Sequence, residues 1–354
     1  MIAERTPTPH YRSLFWPVVL ITAGLVWVLH NVGLIDGGGL VLLLCLWPLL
    51  LIVIGLDLLV GGRSSWGGGV IALGAAAIVL VLLVSGPALG LTPSVEVQTD
   101  RYTAPIEAAT AANVNLNFSV GEAIVQPLDD PRQLIDADLT HFGEIEFTTT
   151  GDRTKTITLQ QKESLKLDWS DWAASRDHEE LRWQVGLNPQ VPLDLNINGG
   201  MGDVTLNLAD LELTGLRANG GAGTVSIDLP ATERHYAANI NGGLGNVRIT
   251  VPDRADANLQ INGGAGAGTI VIGREAQVVA DINGGLGAFT IDVPDDAVVR
   301  VVAKRGLGNI DLPARFERVE GDAGDGSWET AGFGQAETTI VIDYKGGVGG
   351  LTVR

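Results

Sequence analysis

The chain has 354 residues, of which 45% are hydrophobic, and 41 Asp and Glu against 23 Lys and Arg give a formal charge of −18. Residues 1–91 carry three charges of each sign (Arg5, Arg12, Arg63; Glu4, Asp36, Asp57), so the whole excess falls on residues 92–354. So acidic a segment repels a phosphate backbone and has few cations with which to release counterions, which sets nucleic-acid binding aside. Cys45 is the only cysteine. It excludes an internal disulfide and a cysteine metal site, and among leucines it reads as a small buried hydrophobe.

Three stretches, 14–29, 40–60 and 70–89, are almost wholly apolar. About 20 such residues at about 1.5 Å rise cross a hydrocarbon core of about 30 Å, so each is expected to be a membrane helix. Membrane lipid is therefore an expected partner. Arg5 and Arg12 precede the first span and Arg63 follows the second, whereas the loop between them holds Asp36 and no Lys or Arg. The positive-inside rule then puts the N-terminus in the cytoplasm, and three spans put the acidic domain outside it; a third stretch that is re-entrant or interfacial would instead leave that domain in the cytoplasm. Asp57 lies near the cytoplasmic end of the second span, beside Arg63, where a carboxylate reaches the interface. Trp16, Trp27, Trp47 and Trp66 suit headgroup depth. Gly74 to Ala77 permit close helix packing, and with it a homo-oligomer.

The order of residues His30-Asn31-Val32-Gly33-Leu34-Ile35-Asp36, then Leu46-Trp47-Pro48 through Gly55-Leu56, resembles the transmembrane region of LiaI- and LiaF-like bacterial proteins. The likeness covers about residues 14–60.

Downstream, the motif Asn-Gly-Gly-x-Gly starts at Asn198, Asn219, Asn241, Asn262 and Asn283, at steps of 21, 22, 21 and 21 residues. Decayed copies start at Lys304, 21 residues on, and at Lys345, a further 41. Apolar and polar residues alternate after each copy (Val225, Ile227, Leu229; Val247, Ile249, Val251; Phe289, Ile291, Val293) and before it (Leu195, Ile197; Ala238, Ile240; Leu259, Ile261). That period marks a strand with one buried face. Each unit then reads as strand, corner, strand and connection, with Asn and Gly expected at the corner because they tolerate positive φ. A unit this short cannot bury its own apolar face, so units must stack. The expected form is a β-solenoid, with a twisted sandwich of hairpins as the alternative. A linker is expected over 92–112 and the β-repeat domain over 113–354.

Between Lys166 and Asn188 the pattern breaks into Trp169, Trp172 and Trp183 with Asp168, Asp171, Asp177, Glu179 and Glu180. These read first as a cap on the end of the stack and second as a sugar-binding patch. The recurring glycines lead into strands, which excludes a single dinucleotide fingerprint. The position after each corner is Asp203, Thr224, Asn246, Ala267 or Ala288, which is no calcium ladder. His141, His178 and His235 stand alone in sequence, and Asp295-Asp296 sits beside Pro294 as a solvated turn. No catalytic, cofactor-binding or metal-ligating residue is nominated, and no cofactor is expected.

The stretch Val191-Pro192-Leu193-Asp194-Leu195, with Asn198-Gly199-Gly200, Leu206-Asn207-Leu208, Leu211, Leu213, Leu216 and Ala222-Gly223, resembles toastrack-type domains of LiaF-like envelope-stress proteins. The resemblance implies a membrane α-helical N-terminal module followed by an all-β repeat domain, a toastrack-like stack. It also implies a non-catalytic regulator in the cell envelope with a membrane sensor kinase as partner. The chain departs from LiaF proper in having three spans rather than four and a longer glycine-rich repeat. A structural or adhesive surface protein is the alternative, and a carbohydrate-active enzyme ranks last.

Overall fold

The computed structural model describes residues 97–162 and 181–354, except 233 and 337, together with scattered helical positions between 21 and 82. Among the described residues no helix is long and apolar enough to cross a membrane. The three expected spans, including Cys45 and Asp57, lie almost wholly outside those residues, as do Trp169, Trp172 and His178.

The β unit comprises Val97–Lys162 and His178–Arg354. It is a ladder of rungs, each contributing one strand to each of two sheets. At one end lie β6 (Thr154–Gln161) with β7 (Arg182–Leu187), then β2 (Ala111–Asn117) with β3 (Glu122–Pro127), then β8 (Leu193–Asn198) with β9 (Val204–Asn207). The regular middle is β10 (Leu213–Asn219) with β11 (Val225–Asp228), β12 (Tyr236–Asn241) with β13 (Val247–Val251), and β14 (Asp256–Asn262) with β15 (Gly268–Ile272). The far end holds β16 (Gln277–Asn283) with β17 (Phe289–Asp292), β22 (Ile340–Lys345) with β23 (Leu351–Val353), and β18 (Val299–Lys304) with β19 (Ile310–Asp311). Neighbouring rungs pair in parallel, so the repeat forms a solenoid and not a set of hairpins.

The alternation read from sequence is the inward face of these strands. Leu195 and Ile197 stand over Leu216 and Ala218, then Ala238 and Ile240, then Leu259 and Ile261, all buried. In the other sheet Val204 and Leu206 continue as Val225 and Ile227, then Val247 and Ile249. Gly268 takes the valine position in the next rung, and the Phe289 ring fills the space its missing side chain leaves. Parallel pairing at about 4.8 Å between rungs lets like side chains stack without voids.

Two rungs sit out of chain order. β2 with β3 lies between the rung of β6 and that of β8, and β22 with β23 lies between the rung of β16 and that of β18. The 41-residue step to Lys345 therefore leads one rung back, not two rungs on. The reason is a hairpin: β20 (Glu317–Gly321) and β21 (Asp325–Glu329) pair antiparallel, and β21 covers the outer side of β18. Only the inner side of β18 is left for the returning chain. The opposite end is covered in the same way by β4 (Gln133–Phe142) on β7 and by β5 (Ile145–Thr150) on β6.

Outside β4 lies β1 (Val97–Pro105), within the stretch expected to be a linker. It is an exposed edge strand and so lacks the one-sided apolar pattern that marks a strand in sequence. It is fastened by polar groups instead. Arg101 grips Asp136 with two nitrogens, and the buried Lys155 donates to Pro105 O and Glu107 Oε2, both at 2.8 Å. Trp183 is not surface. It belongs to β7, is fully buried, and meets Phe118 edge-on at 5.6 Å between centroids.

Candidate functional site at the glycine corner

The corner that joins the two sheets is built by the repeat motif, and each of its five positions has a separate physical task. The asparagine ends its strand and forms a side-chain ladder along the stack. Asn283 Nδ2 donates to Asn262 Oδ1 at 2.9 Å, and Asn262 to Asn241, Asn241 to Asn219 and Asn219 to Asn198, each at 2.7 Å. Asn198 donates to Asn117, Asn117 to Gln160 at 2.9 Å, and Gln160 to Glu146 at 2.8 Å. Every donor points toward Glu146, a carboxylate that only accepts. At the other end Lys345, which only donates, takes the next position in register after Asn283. The end charges thus match the sense of the aligned amide dipoles.

The expected positive φ is found at the last glycine of the motif and not at the asparagine. Gly245 has φ 138°, and a Cβ there would run into the carbonyl of Gly223 one rung away. Gly243, the third residue of its copy, has no positive φ, but a Cβ on it would overlap the carbonyl oxygen of Gly221. The glycines are needed chiefly because the corner backbones pass each other in direct contact. Their hydrogen bonds continue the ladder around the bend, with Leu244 N to Gly221 O at 2.8 Å and Gly245 N to Ala265 O at 2.9 Å.

The fourth residue is the only glycine-flanked position free to carry a side chain, and it points outward. In stack order these residues are Val120, Met201, Ala222, Leu244, Ala265, Leu286, Val348 and Leu307, each bridged to the next. Leu244 is 66% exposed, Leu286 60% and Leu307 75%, so the core does not require their apolar character. Eight rungs at about 4.8 Å make this an apolar ridge about 34 Å long. The two-residue alternation marks inward positions only and does not reveal this row. The available signal was the x of the motif, which is apolar in every copy.

The motif's own charges differ by end. Glu122 and Asp203 follow Gly121 and Gly202 at one end, where Arg182 pairs with Glu122 at 2.8 Å, and Lys345, Lys304 and Arg305 stand at the other, where Asp281 pairs with Lys345 at 3.3 Å. The four rungs between, from Asn219-Thr224 to Asn283-Ala288, carry no charge at the corner. Asp203 accepts from Thr224 N at 2.7 Å, so it caps the neighbouring rung.

The opposite corner is polar and its groups are engaged with one another. A shallow depression of about 620 Å³ there is lined by Asp253, Arg274, Asp292, Asp295 and Asp296, among others. Arg274 N donates to Asp253 at 2.7 Å, Arg354 pairs with Asp292, and Arg315 donates to Pro294 O at 2.8 Å. Asp295 and Asp296 are exposed in a turn. The histidines that stand alone in sequence have carboxylate partners in space: His141 with Asp100 at 3.2 Å and His235 with Asp256 at 2.7 Å. Among the described residues no three His, Cys, Asp or Glu side chains are placed to hold a metal ion. Burial pushes the phenols of Tyr236 and Tyr344 upward, and Tyr344 Oη has no hydrogen-bond partner.

Residues 93–250 match the family model of the N-terminal domain of toast_rack, DUF2154. The chain carries a toastrack-type domain. The regular rungs beyond residue 250 extend the same ladder. Among solved structures, a candidate cell adhesion protein from Clostridium sporogenes ATCC 15579 is 17% identical, with 73% of this chain and 99% of that one covered and a TM-score of 0.36. A candidate adhesin from Bacteroides fragilis NCTC 9343 is 15% identical, with 74% and 99% covered and a TM-score of 0.34. No curated protein matches the sequence.

Proposed function

We propose that the protein is a non-catalytic, membrane-anchored regulator of the cell envelope, a stress sensor that acts through protein or ligand contacts of its toastrack stack. The observation that carries this reading is the corner: a closely hydrogen-bonded ladder presents an exposed apolar row that the core does not need. Extended repeat surfaces of this kind suit contact with a partner along their length. The apolar stretches at 14–29, 40–60 and 70–89 support anchoring, and three spans support an extracytoplasmic domain. A membrane sensor kinase is the partner this reading favours. The test is affinity capture of the full-length protein from membranes with quantitative mass spectrometry, paired with an envelope-stress reporter in a deletion strain. Co-recovery of a sensor kinase and a changed reporter response are expected. Absence of any signalling protein, under conditions that retain other membrane complexes, would overturn the proposal.

An adhesive role is the second reading, favoured by the same exposed ridge. Pairing through open strand edges is hindered at two of the four outer strands, β1 and β20, by charges that include Asp100, Arg101, Glu317, Arg318 and Glu320. The other two are β5 and the two-residue β19.

A further inference from the structure

The ridge has two properties that a generic apolar patch lacks. Side-chain size alternates along it: Met201, Leu244, Leu286 and Leu307 are long, and the residues between them, Ala222, Ala265 and Val348, are shorter. Its ends also differ in charge: Asp203, and Glu122 in an exposed pair with Arg182, stand at one, and Lys304 and Arg305, with Lys345 in an exposed pair with Asp281, stand at the other. We infer that the ridge is the docking surface for a second copy of this chain, laid antiparallel about a two-fold axis between the rungs of Leu244 and Ala265.

That one operation satisfies both properties. It sets Leu244 over Ala265, Leu286 over Ala222, Met201 over Val348 and Leu307 over Val120, so each facing pair joins a longer side chain to a smaller one. It also brings Lys345 of each copy over the rung of Asp203 in the other, and Lys304 and Arg305 over the rung of Glu122, where the exposed pairs within each chain can exchange partners. A parallel pair would set leucine on leucine and like charge on like charge. Elsewhere on a chain of charge −18 two copies repel, and the uncharged middle rungs of the corner are where they can approach. Two-fold pairing of one patch with itself is also the commonest way in which chains associate.

The contact is a ridge about 34 Å long and narrow, smaller than the roughly 800 Å² per partner of a standard interface. It therefore forms between copies held at high local concentration, as in one bilayer, and this clause rests on the proposed anchoring. The interface is separate from any packing of the spans and holds whether the domain regulates or adheres.

Cysteine cross-linking of the full-length protein in native membranes tests it, in a Cys45→Ser background. Two differently tagged forms, Met201→Cys and Val348→Cys, are co-expressed and treated with a short bis-maleimide. Within one chain the two positions lie five rungs apart, about 24 Å, and in the proposed dimer each lies as far from its own copy. The mixed product is expected to exceed either like-with-like product about tenfold, and to fall about tenfold when Leu244→Glu is added to both forms. Leu244 is 66% exposed, so the change spares the core, and circular dichroism with the milder Leu244→Gln checks that the fold persists. A dominant Met201→Cys self-product would overturn the antiparallel arrangement. No product, adducts to lipid or another protein alone, or a mixed product indifferent to Leu244→Glu would overturn the second copy as occupant. Capture of a kinase is a separate readout, so the two proposals fail separately.

Discussion

The asparagine ladder can be tested by removing one member, and Asn241 in the middle of it is the informative choice. Asn241 donates to Asn219 and accepts from Asn262, both at 2.7 Å. Asn241→Ala deletes both bonds and leaves an acceptor and a donor facing a gap. At about 1 kcal/mol net per bond the expected loss is about 2 kcal/mol, held down because these side chains are only half-buried and water can replace part of it. Repeat stacks unfold unit by unit, so a global midpoint is the wrong measure. Hydrogen exchange of the strand peptides β10, β12 and β14 in the full-length protein is the right one, with opening expected to rise roughly 30-fold. Asn258→Ala, on the exposed face of β14, is the control and is expected to change little. Asn241→Asp sharpens the test. The introduced carboxylate still accepts from Asn262 but turns an oxygen toward Asn219, so its folded pKa rises above the ordinary carboxylate value. A raised folded pKa means the folded state holds the proton more tightly, so stability must recover as pH falls through it and decline as pH rises. If Asn241→Ala matched Asn258→Ala within about 0.5 kcal/mol, or Asn241→Asp lost protection on acidification, the ladder would not be a stabilising element.

Gly243→Ala forces a Cβ onto the Gly221 carbonyl, and should cost about 3 kcal/mol, at the top of the usual overpacking range. Gly332→Ala, at φ 85° in open space, should cost only its backbone strain of about 1–2 kcal/mol, and hydrogen exchange of the peptides around each site compares the two. A chain truncated after Gln335 loses β22 and β23, so limited proteolysis read by mass spectrometry should release 299–329 while β8 to β17 stay protected; equal protection of both segments would refute the rung order. Tyr344→Phe removes a buried hydroxyl without a partner and should leave stability unchanged or raise it by about 1 kcal/mol, as measured by hydrogen exchange of the β22 peptide.

How far the fold could be read depended on whether a residue faces inward. Val225, Ile227 and their counterparts declare a strand because a buried face imposes a period of two, and the 21-residue spacing declares a stack because a coil closes on a fixed length. Where no buried face exists the signal disappears, as in β1, exposed along most of its length and held by Arg101 and Lys155. Trp183 was legible in principle, since Trp183, Val185 and Leu187 alternate with Arg182, Gln184 and Gly186. The acidic tryptophan cluster before it drew the reading toward a cap or a sugar patch. The asparagine stands at the corner as expected, but tolerance of positive φ is not what puts it there. Its amide needs a copy of itself one rung away, and a relation between rungs is not visible in the geometry of one residue.

The order of the rungs lies further out of reach, and it has a consequence for how the stack ends. A parallel ladder exposes pairing edges at both ends, and chain order would leave the last rung as such an edge. Here the chain overshoots, turns through β20 and β21, and returns β22 and β23 to a slot one rung inside. The outermost parallel strand of that sheet is then covered by an antiparallel hairpin that carries charge, while the C-terminal residues are secured on two sides. The other end repeats the device with β4 and β5, again with one rung out of order. At the far end the hairpin closes one sheet only, and in the other the two-residue β19, with Asp311, is the uncovered edge; the long apolar row at the corner runs along the side of the stack. A charged hairpin and short edge strands hinder growth along the stack axis, whereas the apolar row lies open across it, a geometry that favours a pair over a fibre.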